Sequence, residues 1–268
     1  MALALGPASA AAGYRLAAFD TVGSTNAEGL AFARAGDPGR LWVVSLHQTA
    51  GRGRRGRPWF AKPGNLAASL LLVTPVAAEV AASLSFVAGL ALAGALLALA
   101  PGLGGAAGAG DGRITVKWPN DVMGDGAKLS GILLEAERLA DGRTALVVGI
   151  GVNITHVPPD LPYKAASLSA LGLDVDGERV LAALTDAWHA LAEVWDDGRG
   201  FAEIRTRWLR RGAGIGGPVA VKLGNEVISG TFETIDETGR LMVRAADGTL
   251  RAVAAGDVHF GEAATAGR

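Results

Sequence analysis

Residues 114–154 read ITVKWPNDVMGDGAKLSGILLEAERLADGRTALVVGIGVNI, and this stretch decides the fold. It holds three runs rich in Val, Ile and Leu, at Ile114–Met123, Leu129–Ala136 and Ala145–Ile154. Short segments with Gly and Asp separate the runs, as is typical of turns between strands. The stretch therefore predicts three strands close together.

The chain on either side predicts further strands and helices. Thr25-Asn26-Ala27-Glu28 fits a capping box with Thr25 as N-cap and Glu28 reaching back, so a helix should begin here and run to about Ala35. The other predicted elements are strands at Tyr14–Val22, Leu41–Gln48 and Leu66–Thr74, and amphipathic helices at about Glu178–Trp195 and Phe201–Arg211.

One segment allows two interpretations. Val80–Ala100 carries no charge and is long enough to cross a bilayer. However, it consists mostly of Ala and Gly, no Lys or Arg anchors its ends, and Pro101 stops it. We expect a helix buried in the core, followed by a flexible Gly/Ala loop at Pro101–Gly112.

The pattern changes after Gly212–Gly217. Short strand-like runs separated by Gly, Asp and Asn follow, at Pro218–Leu223, Val227–Thr234, Leu241–Arg244, Leu250–Val253 and Val258–Phe260. They predict a small β-barrel. The expected organisation is a catalytic domain at 14–212 and a barrel at 217–262.

Composition excludes several classes of function. The 268 residues are 50% apolar and carry a formal net charge of −1, so the chain should be globular, without whole-molecule attraction to nucleic acid or membranes. No cysteine is present, which excludes disulfides, thiolate metal sites and cysteine nucleophiles. The four histidines are scattered. We expect no metal site built by the protein, and a cytoplasmic location.

The strongest local motif is Gly51-Arg52-Gly53-Arg54-Arg55-Gly56-Arg57, followed by Pro58 and Trp59. It contains G-x-G-x-x-G after a strand, but Arg57-Pro58 prevents a helix from following, which argues against dinucleotide binding. Its glycines let the backbone approach a ligand, and guanidinium groups bind carboxylate or phosphate. A solvated basic loop or a nucleic-acid arm remains possible from the motif alone.

A second motif joins two lysines to an aspartate. In Lys117-Trp118-Pro119-Asn120-Asp121, strand alternation places Lys117 on the face opposite Ile114, Val116 and Trp118, and the turn follows. Lys128 comes seven residues after Asp121. Such a cluster suits a reaction that builds negative charge on phosphate, although a surface ion pair would give the same pattern.

A third motif is Val148-Gly149-Ile150-Gly151-Val152-Asn153-Ile154. Alternation places Gly149, Gly151 and Asn153 on one strand face, which therefore has no side chain until Asn153. A flat ring could lie on this floor and be read by the amide. Close packing of a helix on the glycines is the alternative.

The order of these motifs is more specific than any one of them. Five motifs follow one another along the chain: Gly23-Ser-Thr-Asn26, the segment from His47 through the Gly-Arg motif, Lys-Trp-Pro-Asn-Asp, Lys-Leu-Ser-Gly-Ile-Leu and Gly-Ile-Gly-Val-Asn. In this order, from about residue 20 to 155, they closely resemble the bacterial biotin–protein ligase family. The terminal barrel resembles that family's SH3-like domain. Some members begin with a winged-helix DNA-binding domain, but about 20 residues precede the Ser-Thr-Asn motif here, so we expect the short form without it.

This resemblance implies a fold and a reaction. The fold would be α+β, with a mixed, largely antiparallel sheet similar to the class II aminoacyl-tRNA synthetase core, plus the SH3-like barrel. The enzyme would use ATP, with Mg²⁺, to activate biotin as biotinyl-AMP and release pyrophosphate. The biotin would then pass to a lysine of a biotin carboxyl carrier protein domain of an acyl-CoA carboxylase, releasing AMP. Neither nucleic acid nor membrane is an expected partner, and a homodimer is possible.

The resemblance also implies roles for individual residues. Catalysis would rest on Lys128 as the central lysine, Arg52, Lys117 at phosphate, and Asp121, which would orient Lys128 or help deprotonate the incoming amine. The expected biotin-binding residues are Ser24, Thr25, Asn26, Gln48, Gly51, Arg52, Gly53, Arg54, Lys128 and Gly131, of which Ser24, Thr25 and Gln48 would hydrogen-bond the ureido group. The expected nucleotide-binding residues are Arg54, Arg55, Trp59, Asn120 and Asn153, with Trp59 stacking on adenine and Asn153 hydrogen-bonding to it.

Two rival functions stay open at this stage. A lipoate–protein ligase would share the fold, but the Gly-Arg motif and the barrel favour biotin. A non-enzymatic regulator that binds biotinyl-AMP or nucleic acid is the second rival, and the expected absence of a DNA-binding domain argues against it.

Overall fold

The computed structural model describes residues 3–59, 62–104, 112–224 and 226–260. The helices are α1 Pro7–Ala11, α2 Thr25–Arg34, α3 Ala78–Ala81, α4 Leu84–Leu99, α5 Gly177–Trp195 and α6 Phe201–Leu209. The strands are β1 Arg15–Phe19, β2 Leu41–Ser45, β3 Leu66–Thr74, β4 Ile114–Lys117, β5 Asp121–Gly124, β6 Ala127–Arg138, β7 Thr144–Val152, β8 Pro218–Leu223, β9 Glu226–Ile235, β10 Leu241–Arg244, β11 Leu250–Val253 and β12 Asp257–Phe260.

The first seven strands form one sheet in the order β1-β2-β3-β7-β6-β5-β4. Strands β1 and β2 pair in parallel, because the connection between them contains helix α2 and lets the chain return in the same direction. The other pairs are antiparallel. The prediction of an α+β fold with a mixed, largely antiparallel sheet is therefore confirmed.

The predicted run Ile114–Met123 is not one continuous strand but forms the two strands β4 and β5, in agreement with the turn expected after Lys117. The Trp118–Pro119 peptide is cis, and the chain reverses so that Lys117 pairs with Asp121 across the new hairpin. Pro119 has no N–H to donate to a ladder, which explains why one strand cannot run through it.

The predicted N-cap of α2 is wrong. Ser24 has extended backbone angles, and its Oγ accepts a hydrogen bond from the Ala27 N–H at 3.4 Å, so Ser24 is the cap. Thr25 is already the first helical residue. Its hydroxyl is therefore available for contacts other than capping.

Helix α4 lies in the main core, on one face of the sheet together with α5. Eleven of its residues are buried, among them Phe86, Leu92 and Leu96, as expected of a helix that is apolar on all sides. The stretch Glu79–Leu99 is long and apolar enough to cross a membrane, but 72% of its apolar window is buried inside the protein. This burial agrees with the predicted core helix. The following Gly/Ala loop lies largely outside the described residues.

The last five strands form a second, antiparallel sheet in the order β11-β10-β9-β8-β12. It packs against the helical side of the first sheet through aromatic rings, with Trp208 between Phe86 and Phe232 at centroid distances of 5.6 and 6.5 Å. The buried Trp118 Nε1 donates to the Gly239 carbonyl at 2.9 Å. The two sheets therefore share one continuous core.

We expect Trp118→Phe to lower the free energy of unfolding by about 1–2 kcal/mol more than Trp42→Phe does. Both indoles are buried, but the Trp42 Nε1 has no hydrogen-bond partner among the described residues, so Trp42→Phe loses volume alone. Trp118→Phe also leaves the Gly239 carbonyl without its donor. Urea unfolding of both variants measures the difference, and equal losses would contradict the assigned link between the sheets.

Candidate active site

A cleft of about 700 Å³ opens on the α2 face of the seven-stranded sheet. On this face Val147 lies in a small core beneath α2, where Gly29 allows close approach. Further along β7 the same face carries Gly149 and Gly151 in place of side chains. The cleft forms beyond the N-terminal end of α2, where β7 has glycines in place of larger residues.

One end of the cleft is a buried polar cluster at the start of α2. Ser24, Thr25 and Asn26 are at most 7% exposed. The Gln48 Oε1 accepts the Thr25 backbone N–H at 2.8 Å and lies 3.1 Å from the Thr25 hydroxyl. Hydroxyl and amide groups thus converge at a largely buried end of the cleft, which suits a ligand group with both donors and acceptors.

Alternation in the sequence suggested a bare floor for the cleft. In the structure, two side chains from other segments cover this floor. A Cβ on Gly151 would lie 2.2 Å from the Trp59 ring, and one on Gly149 would lie 2.2 Å from the Asn26 amide. The glycines therefore admit two of the protein's own side chains, because any Cβ would collide with them. Trp59 also lies on Gly131 of the neighbouring strand.

The Gly-Arg motif folds into a tight loop over the cleft. Gly53 N–H donates to the Arg57 carbonyl at 2.7 Å, and Trp59 N–H donates to the Gly51 carbonyl at 2.9 Å. Arg55 takes a left-handed backbone conformation with φ 57°. The closed loop thus carries four guanidinium groups on one short segment.

Each guanidinium of the loop has a different position. Arg52 Nη2 lies 3.1 and 3.3 Å from the two carboxylate oxygens of Glu135. Arg54 Nη1 donates to the Asn120 Oδ1 at 3.1 Å, and burial lowers the pKa of Arg54. The loop is therefore tied to β6 and to the β4–β5 turn.

The remaining two arginines reach the second sheet. Arg55 and Arg57 both donate to the Asp257 Oδ2, at 2.7 and 2.8 Å. The guanidinium groups outweigh burial and hold the pKa of Asp257 below its ordinary value. Strand β12 thus forms one wall of the cleft and anchors the loop.

The other end of the cleft carries the two lysines. Lys128 Nζ lies 2.7 Å from the Asp121 Oδ1, and both side chains are largely buried. The same ammonium lies 5.7 Å from the Trp59 ring centroid and 5.5 Å from that of Tyr163. A carboxylate and two aromatic faces therefore hold this cation in place.

Lys117 lies on the opposite side of Asp121 and 5.3 Å from the Phe260 ring centroid. Burial lowers the pKa of the Lys117 ammonium, and the like charge of Lys128 lowers it further, against the attraction of Asp121 and Asp257. The cation is thus poorly solvated, which strengthens its attraction for an anion.

The structure brings most of the sequence-predicted site residues to this one cleft. Its wall includes Ser24, Thr25, Asn26, Gln48, Arg52, Gly53, Arg54, Trp59, Lys117, Asn120, Asp121, Lys128 and Gly131. Three others lie elsewhere. Gly51 packs on Gln48, Arg55 turns to Asp257, and Asn153 lines a smaller adjoining hollow, where its Nδ2 donates to the Ala166 carbonyl at 3.1 Å.

Sequence reasoning missed several residues that line or support the cleft, namely Ser69, Glu135, Tyr163, Asp257 and Phe260. Tyr163 could have been found, because it follows a proline-rich loop at 158–162. No local pattern marks the other four. Their importance comes from strands that meet only in the folded chain.

The arrangement favours one kind of chemistry. A polar pocket continues into a half-buried region with several cations and one central carboxylate. Positioned cations stabilise charge that develops on oxygen, and among the described residues no side chain in the lysine cluster is arranged as a covalent nucleophile with its own base. The cleft is therefore suited to binding an anionic ligand and to stabilising charge that develops on oxygen.

Comparison with known proteins agrees with this geometry. The Biotin/lipoate A/B protein ligase family model matches residues 20–154, and the biotin protein ligase C-terminal domain model matches residues 214–261. The chain is 40% identical to a biotin–(acetyl-CoA-carboxylase) ligase of Paracoccus denitrificans, over 89% of this chain and 97% of that protein. A protein of the same name from Mycobacterium tuberculosis is 34% identical, over 88% and 85%.

A solved structure is similar over nearly the whole chain. The biotin protein ligase from Aquifex aeolicus in complex with biotin and ATP superposes with a TM-score of 0.76 at 25% identity, covering 92% of this chain and 99% of the other. With two family models that together span most of the sequence, the chain belongs to the biotin/lipoate A/B protein ligase family and carries the C-terminal domain of the biotin protein ligases.

Proposed function

We propose that the protein is an ATP-dependent biotin–protein ligase that forms biotinyl-AMP and transfers biotin to a lysine of a biotin carboxyl carrier protein domain. One observation carries the proposal: a buried polar pocket and a cluster of half-buried cations occupy the two ends of a single cleft. The names of the relatives, and the binding of biotin and ATP by the Aquifex enzyme, support it.

The polar pocket favours biotin over lipoate. A ureido group has two N–H donors and one carbonyl acceptor, and Ser24, Thr25 and Gln48 offer hydroxyl and amide partners for them. The dithiolane ring of lipoate would leave these buried groups unpaired. Unpaired polar groups in a desolvated site give strong discrimination against the wrong substrate.

In the first step a biotin carboxylate oxygen attacks the α-phosphorus of ATP, and the bond to the pyrophosphate oxygen breaks. We propose that Arg52 and Arg54 hold the carboxylate and the phosphate in contact, and that Lys128 and Lys117 stabilise the added negative charge. We propose that Trp59 and Asn153 contact the adenine, as the resemblance implies.

In the second step the neutral amine of the acceptor lysine attacks the anhydride carbonyl, AMP leaves with the bonding electrons, and the amine loses a proton. The ion pair of 2.7 Å between Asp121 and Lys128 supports Asp121 as the residue that orients Lys128. Closure of the Gly-Arg loop would keep water from the anhydride before the acceptor arrives.

The magnesium expected with ATP has a place beside the phosphates. The carboxylates in the cleft are already matched by cations, Asp121 by Lys128 and Asp257 by Arg55 and Arg57. Among the described residues, no group of three or more acidic or histidine side chains could hold a metal. The residues therefore fit a metal that enters on ATP and is held mainly by phosphate oxygens and water.

We further propose that residues 14–212 form the catalytic domain and residues 217–262 the barrel. In this proposal the barrel contributes Asp257 and Phe260 to the wall of the cleft. A cytoplasmic location fits an enzyme whose substrates are ATP and a carboxylase, and nucleic acid has no proposed role.

The first test is the identity of the acyl-adenylate. We expect incubation with Mg-ATP and either biotin or lipoate to yield biotinyl-AMP, detected by mass spectrometry, and little lipoyl-AMP. Addition of a biotin carboxyl carrier domain should then move the biotin to one lysine. Formation of lipoyl-AMP in preference to biotinyl-AMP, or of neither, would overturn the proposed function.

We expect Lys128→Met to slow biotinyl-AMP formation about 10²- to 10³-fold, because it removes a preorganised cation but keeps an unbranched stem between Trp59 and Tyr163. Lys62→Met is the matched control, since Lys62 is exposed and outside the cleft wall. Rates are measured at saturating biotin and ATP. A Lys128→Met rate close to that of the control would remove Lys128 from the mechanism.

The depressed pKa of Lys117 predicts the alkaline limit of the first step. The ammonium can stabilise phosphate charge only while protonated, and it loses its proton at lower pH than an ordinary lysine. Adenylation without acceptor should therefore decline as pH rises through the Lys117 pKa. Lys117→Arg keeps its proton throughout, so its pH–rate profile should extend further into the alkaline range. An unchanged alkaline limb would show that another group sets it.

A further inference from the structure

A chain of polar contacts runs along the α2 face of the sheet from the buried polar pocket to the Gly-Arg loop. The hydroxyls of Thr25 and Ser69 are 2.7 Å apart, and the Ser69 Oγ lies 2.6 Å from the Asn26 Oδ1. The Asn26 Nδ2 donates to the Glu135 Oε2 at 2.7 Å. Since Glu135 also accepts from Arg52, helix α2, strands β3 and β6 and the loop are connected through side chains.

The acceptors around Asn26 fix the orientation of its amide and the direction of the Ser69 hydrogen bond. The Asn26 Nδ2 faces two acceptors, the Leu133 carbonyl at 3.3 Å and Glu135, so the amide cannot be turned over. Its Oδ1 must then receive the single Ser69 proton. The Thr25 hydroxyl then has two acceptors within reach, the Ser69 Oγ at 2.7 Å and the Gln48 Oε1 at 3.1 Å. Donation to either one leaves the Thr25 oxygen able to accept from a ligand N–H.

Glu135 is the anion in this chain of contacts and stands at the point where two donors meet. Its carboxylate accepts from the buried Asn26 amide on one side and from the Arg52 guanidinium on the other. The side chain is 27% exposed, against 48% for Arg52. The carboxylate thus fixes the Asn26 orientation and the Arg52 direction with one group.

Another glutamate on the same strand shows what a merely structural pair looks like. Glu137 pairs with Arg34 on the protein surface, where the arginine is 60% exposed. Glu137 has no contact with the cleft wall or with a buried amide among the described residues. Both glutamates lie on β6 and pair with an arginine, but Glu135 in addition accepts a hydrogen bond from the buried Asn26 amide.

We infer that Glu135 is a positioning residue for biotin binding, which holds Arg52 toward the carboxylate end and, through Asn26 and Ser69, keeps Thr25 as an acceptor for the ureido N–H. This inference rests on the proposed function. Glu135 contacts neither end of the ligand directly. It sets the geometry of both ends from the side of the cleft.

Glu135→Gln separates the two halves of this role. The carbonyl oxygen of the introduced amide can still accept from Asn26, whose orientation the Leu133 carbonyl maintains. The new amide nitrogen then replaces Oε1, the nearer acceptor of Arg52, so that Arg52 keeps only the longer contact of 3.3 Å, to an oxygen without charge. Losing one charge-assisted hydrogen bond should raise the KM for biotin about tenfold. The KM for ATP and the melting temperature should change little.

Glu137→Gln serves as the matched control and should leave both KM values at the parental level. A second variant, Ser69→Ala, breaks the chain at the other side, between Thr25 and Asn26. Because both variants act on one connected network, the increases in biotin KM for Glu135→Gln and Ser69→Ala should not multiply in the double variant.

The outcomes separate this inference from the proposed function. If the parental enzyme forms no biotinyl-AMP, the proposed function fails. If the parent is active but Glu135→Gln matches Glu137→Gln, or lowers the biotin KM, the positioning role is overturned. Equal increases in the KM for biotin and for ATP would also overturn it, because they would indicate a general disturbance of the cleft. If Glu135→Gln does not fold, Ser69→Ala alone must reproduce the selective rise in biotin KM.

Discussion

The site depends on one constraint, the loss of side chains along one face of the central sheet. Beneath helix α2 this face is apolar and packed, with Val147 fully buried. Beyond the start of the helix, β7 offers Gly149 and Gly151, where added Cβ atoms would collide with Asn26 and Trp59. A sheet normally fills both faces with alternating side chains. Here the absent side chains let groups from other segments lie flat on the backbone, and these groups shape the cleft.

The cations in the cleft form ion pairs with carboxylates of the protein, and an anionic ligand could take the place of these carboxylates. Lys128 faces Asp121, Arg52 faces Glu135, and Arg55 and Arg57 share Asp257. These pairs stabilise the cations at defined positions and leave them able to donate to a ligand, because a guanidinium has five N–H groups and the Lys128 ammonium has three. A ligand carboxylate or phosphate therefore meets oriented donors, and little reorganisation is needed at the moment of reaction.

The C-terminal sheet belongs to the site as well as to the core. Trp118 is bonded to Gly239, Lys117 lies against Phe260, and the loop arginines are paired with Asp257. The β4–β5 turn that carries the lysine and aspartate is thus held from both sheets. This explains how a segment so distant in sequence from the Gly-Arg motif can set the position of that motif.

The sequence by itself determined the elements and the chemistry. Alternation and turn residues located most strands to within a few residues, with β3 and β8 matching their predicted bounds, because local preference and burial agree there. Motif order indicated the family and the positions that line the cleft. Pro119 and the residues after it indicated the turn that separates β4 from β5. The local pattern failed at the start of α2, where Ser24 caps the helix in place of Thr25. Only the tertiary structure decided that Trp59 and Asn26 cover the glycines, that Asp257 anchors the loop, and that Glu135 joins Asn26 to Arg52. These contacts join residues tens to hundreds of positions apart, and their free energy depends on distances and desolvation that exist only after the sheets have packed.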